Sequence, residues 1–191
     1  MKKVLLATTN NDKYRVVKKM FERTIFKKDE YEIESLKSIN VKLEDKKEEG
    51  DNLNRAYQKA LQAKEELKDY DFDYIVGLDD AIRTKGELNP NIKLMLNKIL
   101  YEGYLKDNEE YSFERAYVFL SKDGKEYKTR AEIPYYYKEN KDVVIEEYSY
   151  PLSYVAYAIG YDKAICDLEE EDEINYYLRY VQKTLEELNI E

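Results

Sequence analysis

The chain has 191 residues, 43% hydrophobic and 38% charged, with a formal net charge of −9; this is the balance of a soluble, core-forming chain, expected as a single domain over 1–191. The acidic excess excludes a duplex nucleic-acid binder, which needs a basic face. The complete lack of histidine excludes His-based acid–base catalysis, a Ser-His-Asp arrangement and His-ligated zinc.

The single cysteine, Cys166, permits no internal disulfide and is expected to be a buried structural thiol. A metal, if used, is therefore expected to be hard and oxygen-ligated, with Mg²⁺ first. The opening apolar run is too short for a signal peptide or a membrane span, so a cytoplasmic protein is expected.

In chain order, Val4 to Ala7 is a continuous apolar run, as in a strand buried on both faces. Thr8, Thr9, Asn10 and Asn11 follow as a polar turn, and Lys13 falls in the first turn of a helix expected over roughly 11–24. Backbone donors at a helix N-terminus beside a lysine suit a phosphate; an ordinary capped turn explains the same residues. A second strand is expected at about 31–36 and a charged loop at 45–51. A helix over about 51–68 follows, presenting Arg55, Lys59 and Gln62 on one face.

The apolar run 72–78 reads as a strand ending in Asp79 and Asp80. Adjacent carboxylates there are costly unless partnered, and that strand edge is where open α/β sheets bind ligands. Successive residues point to opposite faces, so at most one of the two aims into a given pocket unless the chain bends. A helix is expected within 88–106, starting near Pro90. The segments 113–120 and 126–137 form a hairpin around Asp123-Gly124. Tyr135-Tyr136-Tyr137 is expected in core or edge packing. The reading continues with a strand at 143–150, a turn at Gly160-Tyr161-Asp162, and an amphipathic helix from Ile174 to the C-terminus.

With these pieces placed, the sequence resembles the inosine/xanthosine triphosphate pyrophosphatases, which hydrolyse damaged purine nucleoside triphosphates to monophosphate and pyrophosphate. Thr8-Thr9-Asn10-Asn11-Asp12-Lys13 is similar to the family's S/T-x-N-x-x-K after the first strand. The stretch Glu48-Glu49-Gly50, then Asn54-Arg55-Ala56-Tyr57-Gln58-Lys59-Ala60, resembles the acidic residue and N-A-x-x-K-A helix, one residue short. Leu78-Asp79-Asp80-Ala81-Ile82 resembles strand-D-D-S-G-L, and Gly160-Tyr161-Asp162 matches G-Y-D. The family's S-H-R triplet is missing, and Arg179-Tyr180-Val181 stands in its place.

The resemblance implies an α/β fold: an elongated central mixed sheet with flanking helices and two lobes separated by an active-site cleft. It implies Mg²⁺, with Mn²⁺ as a substitute, held by Glu48 or Glu49 with Asp79 or Asp80. It further implies a nucleoside triphosphate substrate, a homodimer, and catalysis by Asp80, Lys13 and Lys59. Substrate contacts would come from Thr8, Thr9, Asn10, Lys13, Asn54, Arg55, Lys59, Tyr161, Asp162 and Arg179. Loss of the triplet falls on base recognition and leaves the base open. A nucleotide-binding homologue without hydrolysis, or a pyrophosphatase for a different nucleotide, stands as the alternative.

Overall fold

The computed structural model describes residues 1–145 and 151–190. β1 (Lys2–Leu6) takes the path the apolar run dictates: Val4, Leu5 and Leu6 are fully buried. It runs parallel to β2 (Tyr31–Ser35) on one side and to β3 (Tyr74–Thr84) on the other. The sheet is mixed and has seven strands in the order β2-β1-β3-β5-β6-β7, with β4 (Glu87–Asn89) antiparallel to β3. β5 is Glu110–Ser121, β6 Glu126–Tyr137 and β7 Ala156–Tyr157, the last antiparallel to β6. Four α-helices accompany it among the described residues: α1 (Asn11–Arg23), α2 (Asn52–Glu66), α3 (Ile92–Tyr101) and α4 (Glu170–Glu186).

The chain divides into two compact units. The first comprises Met1–Asp79, Arg115–Ala131 and Gln182–Glu191; the second comprises Asp80–Glu114 and Glu132–Val181.

In the first unit, α1 buries Val16, Val17, Met20 and Phe21. Phe21 meets Phe26 edge-on at 5.6 Å and lies 5.5 Å from Phe119, and Phe26 lies 5.3 Å from Tyr74. Aromatic rings of this size carry much of a core's apolar area. α2 approaches the sheet through small residues instead: Ala56, Ala60 and Ala63 are fully buried, and the first two pack with Ala116, Val118 and Leu120 of β5. The closest approach is at Gly77 of β3, where a Cβ would lie 1.9 Å from the Ala56 carbonyl oxygen and 3.0 Å from the Ala60 Cβ. Only a hydrogen fits there. Asp51 starts α2, its side chain accepting the Asn54 N–H at 2.8 Å and pairing with Arg130 at 2.7 Å.

In the second unit, Tyr111, Phe113, Tyr135 and Tyr176 form a ring cluster with centroid spacings of 5.8–6.2 Å. The Tyr176 hydroxyl donates to the Pro134 carbonyl and accepts the Ile159 N–H at 3.2 Å. Tyr135 and Tyr137 are buried as expected of core tyrosines.

Three expectations are corrected. β3 does not stop at Leu78 but runs on through Asp79 and Asp80 to Thr84, because Ile82–Thr84 pair with β4 across a Lys85-Gly86 turn. Both turn residues have positive φ, 51° and 82°, as a tight hairpin requires. The helix expected within 88–106 with its start near Pro90 is α3, capped by Asn91 accepting the Leu94 N–H, while Leu88 belongs to β4. Val143 and Val144 are not in a strand, and the rest of that expected strand, 146–150, lies outside the described residues. Cys166 is exposed, because the 3-10 turn Ile165–Asp167 buries Ile165 and turns the next residue outward. Partial desolvation, then the Asp167 charge, pushes its thiol up to about 11, so it stays protonated at neutral pH.

Gly77→Ala is expected to lower the unfolding free energy by about 3 kcal/mol, since a backbone carbonyl cannot give way cheaply; urea unfolding measures it. Asp51→Ala is expected to cost about 1 kcal/mol near neutral pH. Accepted hydrogen bonds, chiefly from the Asn54 N–H, and the Arg130 charge hold the Asp51 carboxyl below its ordinary value of 3.8. A depressed folded pKa stabilises above the unfolded value and the contribution is lost as pH falls through the folded one. The gap between wild type and Asp51→Ala should therefore narrow as pH falls below the ordinary carboxyl value of 3.8.

Candidate functional site

The site begins where β1 ends. The Ala7 N–H donates to the Val76 carbonyl at 2.9 Å and holds the strand's last turn to β3. Asn10 caps α1, its Oδ1 accepting the Lys13 N–H at 2.9 Å, while Thr8 Oγ1 accepts the Asn10 N–H at 3.2 Å. The capped turn is thus real, and Asn10 spends its side-chain oxygen on it. Thr8, Thr9 and Lys13 line a cavity of about 610 Å³ within the first unit.

α2 supplies the next wall. Lys59 and Gln62 line the cavity, as helical spacing placed them on one face. Lys59 Nζ lies 2.5 Å from Asp79 Oδ1 and 3.5 Å from the Leu78 carbonyl oxygen. The pair is partly sheltered, with side-chain exposures of 27% and 13%, so removing one partner costs more than it does in an exposed ion pair. Asp79 therefore faces α2. Asp80, the next residue of a regular strand, leaves by the opposite face, and it too is buried.

The third wall is the loop after β2, whose Ile39, Val41 and Leu43 pack on a cluster of Leu5, Ala7, Leu36, Ala63, Leu67, Phe72 and Ile75. It brings Lys42, Lys46, Lys47 and Glu48 to the cavity. Five lysines (13, 42, 46, 47 and 59) and three acids (Glu44, Asp45 and Glu48) line this space; with Asp79, the partner of Lys59, the balance is five to four, a slight local excess of positive charge in a chain of net charge −9. Such a concavity concentrates anions. The three loop lysines escaped the sequence reading because a run of mixed charge looks like a solvated turn. The only available signal was the apolar 39, 41, 43 alternation that docks the loop.

The remaining expected residues fall elsewhere. Of the two loop glutamates, Glu48 lines the cavity, whereas exposed Glu49 exchanges two backbone hydrogen bonds with Gln58. Asn54 sits exposed in the first turn of α2, and Arg55 Nε donates to the Gly50 carbonyl at 3.1 Å; neither lines the cavity. In the second unit, the Arg179 guanidinium lies over the rings of Tyr161 and Tyr176 at 5.9 and 5.6 Å. Asp162 accepts the Tyr136 hydroxyl at 2.9 Å.

Among the described residues no group of three or more Asp, Glu, Cys or His is assembled to hold a metal. The available donors are carboxylate oxygens, Asp79 and Glu48 in the first unit, a chemistry that suits Mg²⁺ rather than a softer ion. Mg²⁺ bound by one or two carboxylates takes its other ligands from water and phosphate, so oxygen donors of this type match that ion in kind. No helix among the described residues is long and apolar enough to cross a membrane.

No protein-family model matches the sequence, and no curated protein matches it either. Solved structures do. A Ham1 protein from Staphylococcus aureus superposes with a TM-score of 0.58 at 15% identity, over 98% of this chain and 96% of that one. A HAM1 protein from Coxiella burnetii gives 0.57 at 12% identity, over 98% and 95%. A nucleoside-triphosphatase/dITP/XTP pyrophosphatase from Mycobacterium abscessus aligns over 93% and 92% at 17% identity, with a TM-score of 0.47 too low to define a fold. The chain therefore has the fold of the Ham1 proteins along nearly its full length, at low sequence identity.

Lys59→Met removes the cation from a largely buried carboxylate and is expected to lower the unfolding free energy by about 2 kcal/mol. The double variant Lys59→Met with Asp79→Asn should recover most of that loss in the same urea titration.

Proposed function

We propose that the chain is a Mg²⁺-dependent nucleoside triphosphate pyrophosphatase acting on a non-standard purine nucleotide. The single observation that carries the reading is the lysine-lined cavity where β1 hands over to α1. A nucleoside triphosphate brings about four negative charges, which an acidic protein accepts only through local cations and a metal. Lys13 and Lys59 neutralise phosphate oxygens as point charges. Thr8, Thr9 and the amides at the start of α1 donate hydrogen bonds to them.

Glu48 and Asp79 would hold Mg²⁺, which supplies Lewis-acid polarisation of the phosphates and acidifies a bound water. Lys59 rests on Asp79 at 2.5 Å; a phosphate would offer its ammonium a second anion, and Asp79 would then be available as an oxygen ligand to the ion. Asp80 leaves β3 by the face opposite Asp79, so its role of orienting or deprotonating the attacking water comes from its resemblance to the family's catalytic aspartate and not from the cavity geometry. Catalysis is then positioning and charge stabilisation, with no histidine needed. Tyr161 and Arg179 keep the substrate-contact role that the resemblance implies, the guanidinium lying 5.9 Å from the centre of the ring. Dimerisation and a cytoplasmic setting belong to the same reading.

Pyrophosphate release from a panel of nucleoside triphosphates with Mg²⁺ tests it. Turnover by the wild-type chain is expected, and Lys13→Ala and Asp80→Ala are each expected to reduce it at least ~100-fold in folded protein. Near-normal turnover in either variant overturns the assignment. Saturable nucleotide binding with no product replaces it by a non-hydrolysing binder.

A further inference from the structure

The loop that carries Lys42, Lys46 and Lys47 has no regular secondary structure over 41–49, yet two points of it are fastened to α2. At Glu49, Gln58 makes both bonds a backbone can offer: its Oε1 accepts the Glu49 N–H at 3.0 Å and its Nε2 donates to the Glu49 carbonyl at 2.9 Å. At Glu44, Gln62 Nε2 donates to the carbonyl at 2.7 Å and Glu66 Oε2 accepts the N–H at 3.0 Å. Gln62 Nε2 also donates to Glu66 Oε1 at 2.6 Å, so the second clamp is itself braced. Gln58 and Gln62 are four residues apart and stand one above the other on the helix. Asp45, Lys46, Lys47 and Glu48 form the short arch between the clamps, and all four line the cavity.

A primary amide is the side chain that can bond a backbone N–H and C=O at once. Lysine side chains on an unfastened loop lose ordering entropy when they meet a ligand; on a fastened one most of that cost is met on folding. We propose that Gln58 and Gln62 are positioning residues that hold the arch so that Lys46 and Lys47 contact the phosphates of the ligand. The proposal rests on the reading of this cavity as a phosphate site. The glutamines themselves touch no phosphate; they act through the two lysines, and this separates the role from general support of the fold.

Calorimetric titration with inorganic tripolyphosphate, in a double-mutant cycle, tests it. Lys46→Ala/Lys47→Ala and Gln58→Ala/Gln62→Ala are each expected to weaken binding about tenfold. With the lysines already replaced, removing the glutamines should cost less than about twofold more. Gln58→Glu keeps the acceptor and loses the donor; as a single, milder change it should weaken binding about threefold and remain folded if the double variant does not. Unchanged affinity in the glutamine variants overturns the proposal, as does an equal loss with and without the lysines. Wild-type pyrophosphate release, measured in parallel, reports on the underlying enzymatic reading separately: turnover with unaffected glutamine variants defeats the positioning role alone.

Discussion

The site depends on how closely α2 can approach β3. A helix packed on a sheet through leucines would stand too far off for a lysine on its flank to reach a strand carboxylate over so short a distance. Here Ala56 and Ala60 on the helix meet Gly77 on the strand, with the Ala56 carbonyl where a Cβ would be. That contact fixes the height of Lys59 above Asp79, two residues along the strand from Gly77, and closes the ion pair to 2.5 Å. The same helix face then continues to Gln62 and Glu66, which hold the loop after β2. One close approach thus sets three walls of the cavity relative to each other.

Charge follows from this arrangement. An acidic chain repels an acidic ligand at long range, and screening limits that repulsion to about 8–10 Å at physiological salt. Around the cavity the balance reverses narrowly, with five lysines against four acids once Asp79 is counted beside Lys59. The lysine on β3's side is held by Asp79, so it is ordered before a ligand arrives, which lowers the entropic cost of meeting one. The arch lysines are served by a different device, the clamps that Gln58, and Gln62 with Glu66, place on the loop backbone.

Much of this was legible in the sequence where a pattern has one physical cause. The apolar run at Val4–Leu6 is a buried central strand, and Asp123-Gly124 marks the hairpin between β5 and β6, with Gly124 at φ 91°. Lys59 and Gln62 were read on one helix face and share one cavity wall. The reading failed where local pattern and tertiary pairing disagree. Two aspartates resemble a strand end, yet β3 continues past them because β4 supplies a partner for Ile82–Thr84. The Lys85-Gly86 turn was overlooked because lysine is unusual at positive φ. The loop lysines were hidden because nothing local distinguishes a solvated charge run from one fastened by glutamines on a helix ten or more residues away. The resemblance supplied roles for Asn54 and Arg55 at the start of α2, where the Asn54 backbone N–H meets Asp51 and Arg55 Nε meets the Gly50 carbonyl.

A crystal structure of the chain with a non-hydrolysable nucleoside triphosphate and Mg²⁺ tests the central claim most directly. The account predicts phosphate oxygens within about 3 Å of both Lys13 Nζ and Lys59 Nζ, with Lys59 drawn away from Asp79. A triphosphate bound elsewhere on the molecule, with the Lys59–Asp79 pair intact and the lysine-lined cavity vacant, would contradict it.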